Sequence, residues 1–237
     1  MKSSVVFKNR ILRCLPAKES KLLVPHLRSV WLAKDHVLSE AGERVKQVIF
    51  PDEALISYLS ETSDGESVEV CVVGNEGAVD LGTLLSHRTA FRAVVQIPGQ
   101  AYVISTDFLR KEFGRCALVH RVVLRYTAAL LVQLAQTVVC NKFHSIDERF
   151  CRWLLMANDR VSTRDIPMTQ EAMARILGSR RASISDVARA LRKKGFIRYT
   201  RGVISILDRK ALEAVCCECY QTIVTCHENS ALATSRP

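Results

Sequence analysis

The reading turns on Thr169-Gln-Glu-Ala-Met-Ala-Arg-Ile-Leu-Gly-Ser-Arg-Arg-Ala-Ser-Ile-Ser-Asp-Val-Ala-Arg-Ala-Leu191. Thr169 is a good helix N-cap, and Glu171 in the first turn complements the helix dipole. Met173, Ile176 and Leu177 share one face. Gly178 ends this helix where a tight turn needs a residue without a side chain. Ser179 is placed to cap a second helix, whose apolar face is Ile184, Val187, Ala188 and Leu191 at spacings i, i+3, i+4, i+7. Ala174, Gly178 and Ile184 then form the skeleton of two helices joined by a tight turn: a small residue at the approach, the turn, and an apolar plug between the helices. With one face packed, Arg181, Ser185, Asp186, Arg189 and Arg192 look outward.

Two features beside this segment agree with it. Ile197–Thr200 and Val203–Leu207 read as a hairpin around Arg201-Gly202, a wing following the two helices. Between Met168 and Arg201 nine basic residues face only Glu171 and Asp186, and the whole chain of 237 residues carries a net charge of +10. So one-sided a balance points to a phosphate partner. The first half of a recognition helix enters the major groove, where Arg181 can address a guanine edge with two hydrogen bonds. Thr169, Gln170, Ser185 and Arg189 flank it. Arg180, Ser183, Lys193, Arg198 and Arg201 are placed for phosphates, which position without specifying sequence.

Upstream, Asn9–Leu27 reads as helical, and from Val30 to Ser105 the period changes to two. Val45–Phe50 reads as a strand ending at Pro51. Leu55–Ser60 and Val68–Val73 form a hairpin around Asp64-Gly65, a strong turn pair. Phe91–Ile97 and Ala101–Ser105 are expected to pair around Pro98-Gly99, giving a small sandwich or barrel. Asp107–Phe113 starts the next helical section. Cys116–Cys140 is apolar on nearly every face and needs cover on more than one side: the β-domain on one and a twin helix on the other, or a single monomer core around it. Its longest uncharged stretch, Tyr126–Asn141, is shorter than a membrane span and holds Gln133 and Gln136, so it reads as a buried helix with no membrane partner. Ile146–Met156 is amphipathic around Phe150, Trp153, Leu154 and Leu155. Asp159–Pro167 reads as a polar connector and Cys226–Pro237 as a frayed tail.

The nine cysteines are odd in number and follow no secretory leader, so a reduced, cytoplasmic setting is expected. Cys216, Cys217, Cys219 and Cys226 cluster near the end with His227. Clustered thiolates bind soft metals or oxidise, but Cys-Cys-x-Cys is poor zinc-ribbon spacing, and packing within a C-terminal helix explains them as well. The histidines His26, His36, His87, His120 and His144 show no partner spacing. No metal site and no cofactor are therefore expected. A Cys-x-x-Cys in a βαβ setting, paired carboxylates, a phosphate loop and a nucleophile elbow are all missing, so the chain does not read as an enzyme.

The order β-rich domain, long helix, winged helix resembles the Crp/Fnr family of transcription regulators over nearly the whole chain. Met168–Ser185, followed by Gly195-Phe-Ile-Arg-Tyr, is similar to that family's recurring pattern. His144–Leu155 (His-Ser-x-x-x-Arg-x-x-x-Trp-Leu-Leu) and Cys217-Glu-Cys-Tyr220 resemble a subgroup of it. The resemblance implies an α+β chain with a cyclic-nucleotide-binding-like β-roll over residues 1–114, a dimerisation helix over 115–141 and a winged helix-turn-helix over 142–237. The partners implied are double-stranded DNA at a palindromic site, a second copy of the chain, RNA polymerase and an unidentified small effector. Of the family's base-reading residues only Arg181 carries over, since Ala182 and Asp186 stand at the other two positions. In the cyclic-nucleotide pattern the family's glutamate falls on Ala78 and its arginine near His87 or Arg88. Glu76 and Arg88 substitute only after a shift in register. Two rival readings stay open: a redox- or metal-responsive regulator sensing through the C-terminal cysteines, and an effector-binding module whose winged helix docks protein.

Overall fold

A computed structural model describes residues 6–161 and 163–232. The chain opens with two short helices, α1 (Arg10–Arg13) and α2 (Ala17–Leu23), and a turn of tighter helix at Val24–His26. One continuous helix over Asn9–Leu27 was expected. Pro16 and Pro25 divide it, because proline cannot donate to the helical ladder. The strands β1 (Arg28–Leu32), β2 (Val37–Ser39), β3 (Gln47–Pro51), β4 (Leu55–Glu61) and β5 (Ser67–Val73) follow, then the short helix α3 (Thr83–Ser86) and strands β6 (Arg92–Ile97) and β7 (Gly99–Ser105). They form two antiparallel sheets, ordered β1-β7-β3 and β2-β6-β4-β5.

The hairpin at Asp64-Gly65 forms as read, β4 against β5. The expected pairing around Pro98-Gly99 does not. β6 pairs with β2 and β4 while β7 pairs with β1 and β3, so the chain crosses between sheets at this point. Gly99 backs onto the main chain of Glu53 and Ala54 so closely that an added Cβ would lie 2.7 Å from Ala54 N. That close approach, and not a reverse turn, is what the glycine provides.

α4 (Thr106–Arg115), capped by the Ser105 hydroxyl, leads into α5 (Ala117–Phe143). This helix is long and apolar enough to cross a membrane by length and composition alone. Its sides are nonetheless used within the fold. Val119, Val123 and Tyr126 enter the core of the β-roll, and the Gln133 amide donates to Val72 O at 3.0 Å. After a two-residue break comes α6 (Ile146–Arg160), with a complete capping box between Ser145 and Glu148. The segment read as a connector contains β8 (Asp165–Pro167), which adds a third strand to the wing.

α7 (Gln170–Ile176) and α8 (Arg181–Lys193) are joined through Gly178 at φ +53°. β9 (Ile197–Thr200) and β10 (Val203–Ile206) complete the sheet β8-β10-β9. α9 (Arg209–Val215) and α10 (Cys219–Leu232) close the chain. The frayed tail expected from Cys226 is corrected here: α10 runs through it and packs along α5, with His227 buried against the Gln133 carboxamide at 3.0 Å. Residues 233–237 lie outside the described part. The core of α6–α8 and the wing extends onto Leu55, Val72 and Ile97 of the β4–β5–β6 face, so the two halves share apolar packing.

Candidate nucleic-acid interface

The two-helix unit is built as its residues dictate. The Thr169 hydroxyl accepts from Ala172 N and caps α7. Ile184, Val187, Ala188 and Leu191 bury the inner face of α8. The residue preceding α8 is Arg180, with no side-chain cap, so Ser179 does not take the capping role expected of it. Its amide donates instead to Ala174 O at 2.9 Å, closing the turn.

Arg181 is the first residue of α8, and its side chain is 69% exposed. It borders an open cleft of about 500 Å³ together with Thr169, Gln170, Glu171, Arg192, Tyr199, Arg201 and Gly202. The cleft lies between the start of α7, the outer face of α8 and the wing turn. Four of its residues were not among the expected contacts: Glu171, Arg192, Tyr199 and Gly202. The Tyr199 hydroxyl donates to Met168 O at 2.9 Å and ties the wing to the entrance of α7. Glu171 lies 4.0 Å from Arg181 and, both being exposed, holds it only loosely.

The other expected residues are placed as follows. The Ser185 hydroxyl lies 2.7 Å from Gln170 Oε1 and fixes that carboxamide across the helix pair. Arg189 is exposed and pairs with Asp186 at 2.8 Å. Lys193 is exposed at the end of α8. Arg198 turns along the wing sheet, where Nη2 donates to Ser205 Oγ at 3.2 Å. Arg180 and Ser183 border a different groove, of about 990 Å³, between this unit and the β4–β5 hairpin residues Thr62–Val68.

The four residues expected to hold an effector stand in different environments. The Glu76 carboxylate is buried and lies 2.9 Å from Arg160 Nε. Burial is the largest single influence and would raise its carboxyl, but Arg160, His227 and a backbone hydrogen bond together hold it below the usual carboxylate range. Ala78 is buried. His87 and Arg88 are exposed, and Arg88 Nη1 donates to Gly42 O at 2.6 Å. Tyr126 of α5 lies across this stretch: a Cβ on Gly77 would fall 2.3 Å from its hydroxyl oxygen.

The C-terminal cysteines separate into two groups. Cys217 and Cys219 meet Cys140 and His144, which the sequence left unpaired, whereas Cys226 stands apart from this group.

A basic, solvent-open second helix beside a wing defines a winged helix-turn-helix unit. Residues 148–215 match the Crp-like helix-turn-helix domain. Solved structures of similar fold include a regulator of the Crp/Fnr family from Eubacterium rectale (18% identity, 85% of this chain and 94% of that one, TM-score 0.64). FixK2 from Bradyrhizobium japonicum aligns at 16% identity over 81% of this chain and 98% of its own, with a TM-score of 0.66. A CRP-family transcriptional regulator from Thermus thermophilus aligns at 21% over 78% and 95%, with a TM-score of 0.65. No curated protein matches by sequence. Residues 148–215 thus carry a Crp-like helix-turn-helix domain, and the chain shares the overall fold of these solved regulators.

Proposed function

We propose that two copies of the chain bind a palindromic duplex, each placing α8 in a major groove, with half-sites about one helical turn (roughly 34 Å) apart. The observation that carries this reading is Arg181, free in the cleft between wing and helix pair. Arg181 reads a base edge, Arg192 and Arg201 bracket the backbone, and Thr169, Gln170 and Ser185 set the docking angle. Arg189, Lys193 and Arg198 meet phosphates further along, and Arg180 and Ser183 do so from the hairpin side. Residues 1–114 receive a signal, 115–141 join the copies and 142–237 read DNA in the cytoplasm, with RNA polymerase as the downstream partner. The signal reaches α8 through the joint between the halves, where Glu76 pairs with Arg160 of α6.

Dimerisation is supported by α5. Leu124, Ala128, Leu131, Ala135 and Val138 stand exposed at alternating spacings of four and three, and Leu131 and Val138 are 66% and 70% exposed. That is the seam of a two-helix coiled coil. It runs along the side that neither the β-roll nor α10 covers. Leu131→Asp is expected to give monomers in sedimentation analysis and to weaken duplex binding at least tenfold. A variant that stays dimeric removes this seam from the reading.

Selection from a random duplex pool tests the DNA contacts. The wild type is expected to enrich an inverted repeat, and Arg181→Ala to lose roughly 1–3 kcal/mol of discrimination at one base pair per half-site. Log affinity is expected to fall steeply and linearly with log salt. Failure to enrich any duplex in reductant, with and without cyclic nucleotides, would favour a winged helix that docks protein.

A further inference from the structure

Cys140 lies in the last turn of α5, and His144 follows four residues later as its C-cap. The spacing i, i+4 puts both on one helix face. Cys217 precedes α10 and Cys219 opens it, and α10 packs back along α5. The four ligand atoms lie within 4.8 Å of one another, and all three cysteines are at most 5% exposed. All are thiols, and Cys140 Sγ to Cys217 Sγ is 3.7 Å, far beyond the roughly 2.05 Å of a disulfide.

These separations fit a metal ion. With Zn–S near 2.3 Å and Zn–N near 2.05 Å, a tetrahedron has S···S edges of about 3.8 Å and S···N edges of about 3.6 Å. The observed 3.7 Å for Cys140–Cys217 and 3.4 Å for Cys219 Sγ–His144 Nδ1 match both. The surroundings match as well. His144 Nε2 lies 3.3 Å from the Glu218 carboxylate, the partner that fixes the tautomer of a ligating histidine. Gln136 Nε2 donates to Cys219 Sγ at 3.2 Å. Buried Arg152 supplies a positive charge that offsets the net negative charge of three thiolates around a divalent ion.

We propose that Cys140, His144, Cys217 and Cys219 bind a tetrahedral divalent ion of the zinc class, clamping α10 onto the end of α5. The ion would sit where α5 hands over to α6. Two segments separated by more than 70 residues would then be tied at the joint that positions the DNA-binding unit. On binding, each thiol that is protonated releases its proton, and the imidazole coordinates through Nδ1.

The full-length chain, stripped with a chelator under reductant, is titrated with Co2+ as the probe. The expected result is one ion per chain, with visible bands of tetrahedral cobalt and thiolate charge transfer, displaced by Zn2+. Native mass spectrometry of the zinc form is expected to show the same stoichiometry. Cys217→Ser and Cys140→Ser abolish the spectrum, and Cys14→Ser leaves it unchanged. His144→Cys keeps four ligands and guards against simple unfolding of the serine variants. It is expected to retain the ion with a stronger charge-transfer band. Octahedral cobalt, no stoichiometric binding by folded wild type, an undiminished spectrum in Cys217→Ser, or a His144→Cys band no stronger than wild type would each overturn the assignment.

Discussion

Arg160→Ala is expected to cost about 3–5 kcal/mol of unfolding free energy, the range for removing one partner of a buried ion pair. Arg160 ends α6 and Glu76 follows β5, and their side chains are 5% and 4% exposed. Arg160 Nε lies 2.9 Å from Glu76 Oε1, and Nη1 donates to Met156 O at 3.0 Å. The Glu76 carboxylate also accepts from Gly74 N at 3.1 Å. Truncating Arg160 leaves this carboxylate buried, and its pKa then rises above the unfolded value because burial is its largest influence. A raised folded pKa means stability that is present at low pH and lost as pH rises, so the variant suffers more at pH 8 than at pH 5. The double variant Glu76→Gln/Arg160→Met removes both charges while keeping bulk, and is expected to recover most of the loss. Urea unfolding of the three proteins at both pH values measures the loss and its recovery. A loss below about 1 kcal/mol, as for an exposed pair, with no pH dependence, would show that this contact does not join the halves. If it does join them, Arg160→Ala also loosens the DNA-binding unit from the β-roll, and its duplex affinity becomes less responsive to changes in residues 1–114.

What the sequence revealed, and what it hid, divides by range. The helix pair, the wing turn and the hairpin at Asp64-Gly65 are local: cap, glycine and apolar spacing sit within a dozen residues, and each forms where expected. Arg181 was legible for the same reason, since its exposure follows from the four residues that bury the opposite face of α8. Two failures are local, the proline breaks in the first helix and the cap expected of Ser179; the others are long-range. Pro98-Gly99 has turn chemistry, but the strands on either side take partners more than 30 residues away. α10 carries Thr, Val and Cys, weak helix formers, and it is helical because α5 gives it a surface. Cys140 and His144 looked solitary because their partners arrive only when α10 folds back. A search pairing Cys-x-x-x-His with Cys-x-Cys across the chain was the one signal that would have found the cluster. Glu76 read as a ligand residue because nothing local shows that Arg160, 84 positions on, claims its carboxylate.

Glu69→Gln is expected to stabilise the protein by about 3 kcal/mol above pH 7 and by almost nothing near pH 4.5. Glu69 of β5 is buried, and its carboxyl is pushed up to about 7 from 4.5. Burial is the main cause, opposed in part by the hydrogen bond from Ser57 and by the Arg152 charge. Trp153 Nε1 of α6 donates to its other oxygen at 3.0 Å, so the residue bridges the sheet and the DNA-binding unit. Between pH 4.5 and 7 the unfolded chain releases this proton and the folded chain keeps it. Stability is therefore lost as pH rises through that window, by about 1.4 kcal/mol per unit. Glutamine mimics the neutral acid, since its oxygen accepts from Trp153 and its amide donates to Ser57, so the variant escapes the loss. His227 acts in the opposite sense. Burial lowers it to about 4, so its contribution is present above pH 6.5 and is lost as pH falls. The wild type thus combines two slopes that nearly cancel between pH 4.5 and 6.5, and its own profile is flat and uninformative there. The difference between variant and wild type removes His227, which both share, and isolates Glu69. Thermal unfolding of the pair from pH 4.5 to 8.5 gives that difference directly. A gap that grows with pH and levels off near 7 places the proton on Glu69, and a constant gap means the carboxyl is ionised throughout and the bridge to Trp153 is anionic.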